Sequence, residues 1–175
     1  MTTISLCRHT LFRIGLLLLA AVAPPAAAAD DAKSPNLLEE FRKGPMRDVE
    51  EIIFAVRQPG KDGHWYANFS YYADSEDRVT YGQGGRLCRL NLVTGTLTVL
   101  LEDKTGGVRD PIVHYDAGKI LFSYRKGGQP YYHLYEINAD GTGLRQLTSG
   151  DWDDIEPAYL PDGRIVFCSS RCNRW

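Results

Sequence analysis

Short apolar runs separated by turn residues fill the chain from Val49 onward. The first run, Glu51–Val56 (EIIFAV), is rich in β-branched residues, and a turn cluster follows it at Gln58–Gly63 (QPGKDG). Similar runs follow at Trp65–Tyr72, Arg78–Tyr81, Leu87–Leu92, Thr96–Leu101, Ile112–His114, Lys119–Tyr124, Tyr132–Asn138, Leu144–Thr148, Ala158–Leu160 and Arg164–Ser169. Because no helical periodicity appears between these runs, the pattern predicts an all-β, antiparallel protein.

The runs recur at a nearly constant distance. Asp110–Arg125 (DPIVHYDAGKILFSYR) matches Glu156–Arg171 (EPAYLPDGRIVFCSSR), so that Pro111 and Pro157 lie 46 residues apart. Positions 47 residues apart match in the second half of each cycle: Leu87 with Leu134, Asn91 with Asn138, and Leu100 with Leu147. Four short strands in a cycle of this length predict a β-propeller blade, a unit that buries its apolar faces against neighbouring blades. An antiparallel sandwich is the alternative, but it does not require a repeat of fixed length.

The turns follow the same repeat. Pro161-Asp162-Gly163 predicts a tight turn, and Asp116-Ala117-Gly118 is its counterpart with an inserted alanine. Glycines at two further positions predict hairpin turns that need a positive φ: Gly95 and Gly141. The strands after the turns alternate with period two and place large side chains between stacked blades: Ile120, Phe122, Ile165 and Phe167.

The beginning of the chain has a different character. Residues 1–29 are predicted to be an export signal, with a basic start, an apolar core at Ile14–Val22 and small residues before Asp30. This core is well short of the roughly 20 residues that a membrane span needs, and a retained anchor is the alternative. We expect residues 30–48 to be a polar leader with a short helix at Asn36–Arg42, and residues 49–175 to be a partial propeller domain. Cleavage near Ala29 implies a periplasmic or secreted bacterial protein with no stable membrane span.

Charge and cysteine content add few constraints. A formal net charge of −2 and an isoelectric point near 6.1 give no basic surface for nucleic acid. Three cysteines remain after cleavage: Cys88, Cys168 and Cys172. A disulfide between Cys168 and Cys172 requires a bend between them, because on one extended strand they are too far apart. The disulfide state is left open.

The repeat resembles a known family. Leu134–Gly150 (LYEINADGTGLRQLTSG) followed by Glu156–Phe167 (EPAYLPDGRIVF) resembles the TolB-type, WD-like propeller repeat, in which DG-x-G, R-x-LT and PDG-x-I-x-F follow one another. Over Gly63–Trp175, segments such as GHWYANFSYY, YGQGGRLCRLNL and VRDPIVHYD resemble exported proteins of the hydrazine synthase alpha-subunit-like family of planctomycete-type bacteria. The resemblance implies a propeller, which in the founding enzyme of that family is joined to domains that carry c-type haem.

No haem chemistry transfers to any residue of this chain. Haem attachment requires Cys-x-x-Cys-His, whereas Cys168-Ser-Ser-Arg-Cys172 has another spacing and no following histidine. The sequence therefore assigns no catalytic, cofactor-binding or metal-binding residue and no cofactor. Haem domains are expected only if a full-length chain continues beyond Trp175, so whether the protein is part of an enzyme stays open.

Histidines and acidic residues are the remaining candidates for chemistry. His64, His114 and His133 show no metal-ligand spacing, and ordinary structural histidines are the better interpretation. The acidic cluster Asp151, Asp153, Asp154 and Glu156 (DWDDIE) is expected in a turn between blades. It lacks the calcium-loop pattern, and its side chains are expected to accept backbone amide hydrogen bonds.

Two further motifs carry no clear chemistry. Ser169-Ser170 lies outside any G-x-S-x-G elbow, so a nucleophile is not indicated. Gly82–Gly85 (GQGG) is expected between strands with no following helix, which argues against phosphate binding.

The repeat count shapes the functional expectation. The sequence holds two nearly full cycles and a third that stops after its second strand, which predicts an exposed sheet edge at Arg164–Ser169. The simplest interpretation is a truncated product or the N-terminal part of a larger protein, with assembly of several chains into one ring as an alternative. We expect a non-catalytic module that binds an unknown protein or small ligand or acts as a scaffold. The alternatives are the propeller part of a haem-containing redox enzyme and a propeller that gates a hydrolase domain.

Overall fold

The computed structural model describes residues 36–59, 71–72, 75–79 and 81–172. The predicted export signal, most of the Trp65–Tyr72 run and His64 lie outside these residues. The described elements are α1 (Leu37–Lys43), β1 (Glu51–Pro59), β2 (Tyr71–Tyr72), β3 (Ser75–Val79), β4 (Tyr81–Asn91), β5 (Leu97–Asp103), β6 (Gly107–Val113), β7 (Lys119–Arg125), β8 (His133–Asn138), β9 (Arg145–Gln146), β10 (Asp154–Tyr159) and β11 (Ile165–Ser169).

The strands form antiparallel sheets that follow the sequence repeat. The first sheet has the order β1-β4-β5, the second β6-β7-β8-β9 and the third β10-β11, while β2 and β3 pair with each other. The second sheet is a complete four-stranded meander, in which Phe122 of β7 stands opposite Tyr135 of β8. The third sheet repeats the first two strands of that meander. These sheets confirm the predicted partial β-propeller.

The first sheet differs from the expected repeat. In the sequence repeat, β3 and β4 correspond to β7 and β8, so the repeat predicts that β3 pairs with β4. In the structure, β1 pairs with β4 instead, with Phe54 opposite Cys88. The physical reason is burial. β1 offers the apolar run EIIFAV, whereas β3 (SEDRV) carries three charged residues that do not belong in a blade interior.

Apolar side chains fill the spaces between successive sheets. Between the first and second sheets, Leu87, Val108, Ile120 and Phe122 are fully buried, and Ile53, Ala55, Leu100 and Leu101 pack against this cluster. A second cluster, Leu121, Leu134 and Tyr159, is joined by Leu147, Ile165 and Phe167 between the second and third sheets. Successive residues of β7 thus face different neighbours, as the period-two pattern predicts.

The predicted turns form with one change of register. In the PDG turn, Gly163 has φ +85° and the Arg164 N–H donates to Asp162 Oδ1 at 3.1 Å. In the corresponding turn, Ala117 takes the left-handed conformation (φ +58°), while Gly118 is the added residue and donates to Asp116 Oδ1 at 2.9 Å. The inserted residue is therefore the glycine and not the alanine.

The glycine motif also lies elsewhere than expected. Gly82–Gly85 belongs to β4 and not to a loop between strands. Gly84 has φ +96°, and the pairing of β1 with β4 shifts register between Arg57 and Pro59. A bulge of this kind lets the strand continue through the glycines.

The leader contributes a short helix at its end. Asn36 caps α1 by accepting a hydrogen bond from the Glu39 N–H, close to the predicted start. The Arg42 side chain donates to the carbonyl oxygens of Leu92 and Val93 in the turn between β4 and β5, which attaches the helix to the blade. In the part of the chain that the structure describes, no helix has the length and apolar character needed to cross a bilayer.

Candidate functional site

One concave site lies between the first and second sheets, at the end where residues 104–106 and 126–132 connect the strands. A cavity of about 550 Å³ opens there. Its lining combines an aromatic ring, amides, a hydroxyl and one cation: Tyr81, Gln83, Thr105, Arg125, Gly128, Gln129 and Pro130. A cavity of this volume lies within the usual range for small-ligand sites.

Arg125 is the buried cation of this site. The residue is 3% exposed, and its guanidinium lies 3.7 Å from the centre of the Tyr81 ring. The guanidinium donates to the carbonyl oxygens of Gln129, Gly82 and Thr105 at 3.3, 3.4 and 3.3 Å. Its Nε is buried and has no hydrogen-bond partner among the described residues.

Glycines allow the backbone segments around the site to approach closely. A Cβ on Gly107 would overlap the Tyr132 hydroxyl oxygen, and a Cβ on Gly127 would overlap Thr105 Oγ1. A Cβ on Gly85 would lie 2.5 Å from the Val108 backbone nitrogen. Gly85, Gly107 and Gly127 therefore allow this close packing, and a side chain at any of the three forces the backbone or neighbouring side chains to shift.

Asp103 fixes the two connections relative to each other. Its Oδ1 accepts hydrogen bonds from the N–H groups of Thr105 and Gly106 at 3.0 and 2.7 Å. Its Oδ2 accepts from the Tyr124 hydroxyl at 2.7 Å and from the Gly127 N–H at 2.8 Å. Burial alone would raise the pKa of Asp103, but these hydrogen bonds outweigh it and hold the pKa well below its usual range. Burial and the Asp103 carboxylate both raise the pKa of Tyr124 far above its ordinary value.

A repeated bulge links the second and third sheets. Asp110 and Glu156 occupy equivalent positions, have φ +54° and +53°, and precede Pro111 and Pro157. Asp110 Oδ2 accepts hydrogen bonds from Arg109 Nε at 2.6 Å and from the Glu156 N–H at 3.2 Å. The strand pairing shifts register at both bulges. These carboxylates therefore order the junction between sheets.

The bulges carry equivalent contacts to the neighbouring strand. Ser123 Oγ donates to Asp110 Oδ2 at 3.3 Å. Cys168 is the equivalent of Ser123 in the next cycle, and its Sγ lies 3.6 Å from Glu156 Oε2. Burial raises the pKa of the Cys168 thiol, and the Glu156 carboxylate adds to that effect. A thiol shifted in this direction is a poorer nucleophile at neutral pH.

The described histidines do not meet. His114 follows β6 at one end of the second sheet, where its Nδ1 lies 2.7 Å from Asp116 Oδ1. His133 begins β8 at the opposite end. Burial lowers the pKa of His133 despite the opposing charges of Asp154, Asp153 and Asp151. Among the residues that the structure describes, no group of three or more histidine, cysteine or carboxylate side chains is placed to hold a metal ion.

The acidic cluster is only partly a turn. Asp154 and Glu156 belong to β10, contrary to expectation, and Asp153 and Asp154 are fully buried. Asp153 Oδ1 accepts a hydrogen bond from the Tyr132 N–H at 2.8 Å, which is the structural role that the sequence suggested. Asp154 accepts from Arg171 at 2.8 and 2.9 Å. A buried carboxylate needs hydrogen-bond donors or a counter-charge, and an isolated polar turn would not have provided them.

The serine and cysteine candidates have structural contacts. Ser169 Oγ accepts a hydrogen bond from Arg171 Nε at 2.8 Å, and Ser170 Oγ accepts one from the Asp153 N–H at 3.0 Å. No disulfide joins Cys168 to Cys172 in the described part of the chain, and Cys88 is buried as a thiol in the first sheet.

Sequence reasoning did not find the cavity or Arg125. The residues that line it come from three separate segments, and only the tertiary structure brings Gln83 of the GQGG motif beside Arg125. A usable signal existed in the repeat, because Arg125 and Arg171 end the two matched stretches while their surroundings differ.

Sheets stacked in series, with apolar clusters between them and a ligand-sized cavity at the connecting loops, define a partial β-propeller. Over 119 residues the chain is 30% identical to hydrazine synthase subunit alpha of Kuenenia stuttgartiensis, and the match covers 67% of this chain and 13% of that subunit. The chain is therefore a propeller related to hydrazine synthase subunit alpha, and it spans about an eighth of that relative's length. No family model matches the chain.

Two solved structures superimpose on parts of the chain. Hydrazine synthase of Kuenenia stuttgartiensis superimposes with a TM-score of 0.46 at 26% identity, covering 66% of this chain and 14% of that chain. An oligogalacturonate lyase in complex with manganese superimposes with a TM-score of 0.40 at 28% identity, covering 49% of this chain and 24% of the lyase.

Proposed function

We propose that this chain is an exported, TolB-like propeller module that binds a small ligand or a protein and has no catalytic role of its own. The observation that carries the proposal is the cavity of about 550 Å³ at the junction of the first two sheets. Loops held by a rigid sheet frame are the usual place for binding sites in such folds.

The chemistry around the cavity favours binding over catalysis. The Asp103 carboxylate stays ionised and the Tyr124 hydroxyl stays protonated across the physiological range, since the pKa values of both are shifted away from neutrality. A general acid or base works best with a pKa near the working pH. The two groups therefore act as fixed hydrogen-bonding partners that hold the loops in place.

A ligand screen with two matched variants tests the binding role. Gln129→Trp fills the cavity, whereas Arg164→Trp adds the same bulk on an exposed turn at the opposite end of the sheets. Ligand-observed NMR with a library of neutral, cationic and anionic metabolites should give hits that Gln129→Trp abolishes and Arg164→Trp retains. Hits that are insensitive to both changes, or no hits at all, would contradict small-ligand binding at this cavity.

Export is tested by the processing of the chain. When the full sequence is produced in a Gram-negative bacterium, intact mass of the mature protein should correspond to a start at Asp30, and the protein should appear in the periplasmic extract. A mass that retains residues 1–29 in the membrane fraction would indicate an anchor instead.

The relation to hydrazine synthase subunit alpha supports a second candidate function. Under this second candidate, the chain is the propeller part of a multidomain, haem-containing redox enzyme. Genomic DNA beyond the Trp175 codon would then encode Cys-x-x-Cys-His motifs in the same reading frame, and the native protein would show covalent haem on a denaturing gel. A native protein without covalent haem would favour the binding module alone.

A further inference from the structure

Two arginines end the repeated stretches, and they have different electrostatic surroundings. Arg171 stacks 5.3 Å from the Trp152 ring, and its Nη2 donates to both carboxylate oxygens of Asp154 at 2.8 and 2.9 Å. Arg125 stacks on Tyr81, which belongs to the neighbouring sheet. Both arginines thus stack on an aromatic ring, although the two rings come from different positions of the repeat, whereas among the described residues only Arg171 has a carboxylate partner.

The missing carboxylate has a definite position in the repeat. Val108 stands 46 residues before Asp154, and each lies two residues before its bulge residue, Asp110 or Glu156. Both side chains are fully buried. The exchange of aspartate for valine removes the internal counter-charge. No described carboxylate lies within 4.0 Å of the Arg125 guanidinium nitrogens, although Arg125 is more deeply buried than Arg171.

A buried cation without a counter-charge is energetically costly unless other groups stabilise it. The three carbonyl contacts of Arg125 measure 3.3 to 3.4 Å, which is long for N–H···O hydrogen bonds, and its Nε has no hydrogen-bond partner among the described residues. The Tyr132 ring is a second aromatic neighbour, 5.9 Å from the guanidinium carbon. The residue also lines the cavity between the first two sheets. Arg125 is the one charged residue in the described lining of this cavity.

Building on the proposed binding role, we propose that the cavity binds a small organic molecule through a carboxylate or another oxyanion, with Arg125 as the counter-charge. The guanidinium favours planar or tetrahedral oxyanions. The Gln83 and Gln129 amides and the Thr105 hydroxyl at the wall supply neutral hydrogen-bonding groups for the rest of the molecule.

The test uses ligand pairs that differ only in the anionic group. Succinate is compared with succinamide, and glucose 6-phosphate with glucose, by calorimetric titration of the purified full chain at constant ionic strength. Gln129 is exposed, so Gln129→Glu places a competing carboxylate on the cavity wall without disturbing the core. Gln146→Glu adds the same charge on β9, where the residue does not line this cavity.

At least one anion should bind at least tenfold more tightly than its neutral partner. Gln129→Glu should weaken that binding at least tenfold, and Gln146→Glu should change it less than twofold. Binding that does not distinguish anion from neutral partner, or that ignores Gln129→Glu, would overturn the anionic assignment. If the metabolite screen gives only neutral hits sensitive to Gln129→Trp, the anionic assignment fails and the binding module stands; if no hit depends on Gln129, both fail.

Discussion

Three non-glycine residues among those described adopt a left-handed backbone: Asp110, Ala117 and Glu156. This conformation costs about 1 kcal/mol or more for a residue with a Cβ. Asp110 offsets the cost through hydrogen bonds of its side chain to the Glu156 N–H and to Ser123. Ala117 has no polar side chain that could act in this way. The backbone strain is therefore offset by side-chain hydrogen bonds at Asp110, whereas at Ala117 no side-chain hydrogen bond can offset it.

Replacing Ala117 by glycine should stabilise the protein. Glycine accepts φ +58° without a Cβ clash, and the gain should be up to about 1 kcal/mol in the free energy of unfolding, reduced by the greater freedom of glycine in the unfolded chain. Denaturant titration measures the change. Gly163→Ala is the matched control and should destabilise by about 1 kcal/mol, since no atom lies within 4 Å of the added Cβ and only the φ of +85° opposes it. Equal stability of all three proteins would contradict this explanation.

At the scale of elements, β7 connects two interfaces. Ile120 and Phe122 face the first sheet, and Leu121 faces the third. Each side chain is fully buried. A central strand with apolar residues on both faces is what a blade needs when it has a neighbour on each side.

Truncation of Phe122 should be severely destabilising. Phe122→Ala removes a ring that is 0% exposed, and the expected loss is about 3–5 kcal/mol in the free energy of unfolding. Val166→Ala on β11 removes a side chain that is 53% exposed, and its effect should stay within about 0.5 kcal/mol. Chemical unfolding followed by tyrosine and tryptophan fluorescence distinguishes the two. A loss below about 1 kcal/mol for Phe122→Ala would show that the space between the first two sheets is not a packed core.

At the scale of the whole molecule, Glu136 ties the second sheet to the third. Its carboxylate lies 2.9 Å from Lys119 Nζ and 2.9 Å from Arg145 Nη2, and it accepts a hydrogen bond from the Tyr159 hydroxyl at 2.7 Å. Burial opposes ionisation of Glu136, but these three partners outweigh it and lower its pKa from 4.5 to about 2. The junction of the two sheets therefore contains a carboxylate that stays charged in acid.

This lowered pKa gives a pH dependence of known sign. The folded state holds the Glu136 proton more weakly than the unfolded state, so the contribution is complete above pH 4.5 and is lost as the pH falls towards about 2. Its size should be up to about 3 kcal/mol, from about 1.4 kcal/mol per pKa unit. Glu136→Gln should destabilise the protein at pH 7 and have little effect near pH 2, as measured by unfolding titrations at both values. A difference between the two proteins that is independent of pH would rule out this role.

The sequence alone was enough to predict the propeller fold, because every blade must meet the same requirements of turn geometry and burial and the repeat shows them. Asp-x-Gly turns, period-two apolar strands and paired positions such as Leu87 and Leu134 each reflect local geometry or burial that every blade must satisfy. The short helix at Asn36 was likewise encoded locally, in its cap.

Only the tertiary structure decided which strand completes the first sheet and where the cavity lies. β1 pairs with β4 and packs against β6, and both partners are distant from it in sequence. Arg125, Tyr81 and Gln129 meet because two sheets stack, and the absence of a carboxylate beside Arg125 has meaning only once its burial is known. Local patterns specify elements, whereas the energy of a buried charge depends on everything that surrounds it.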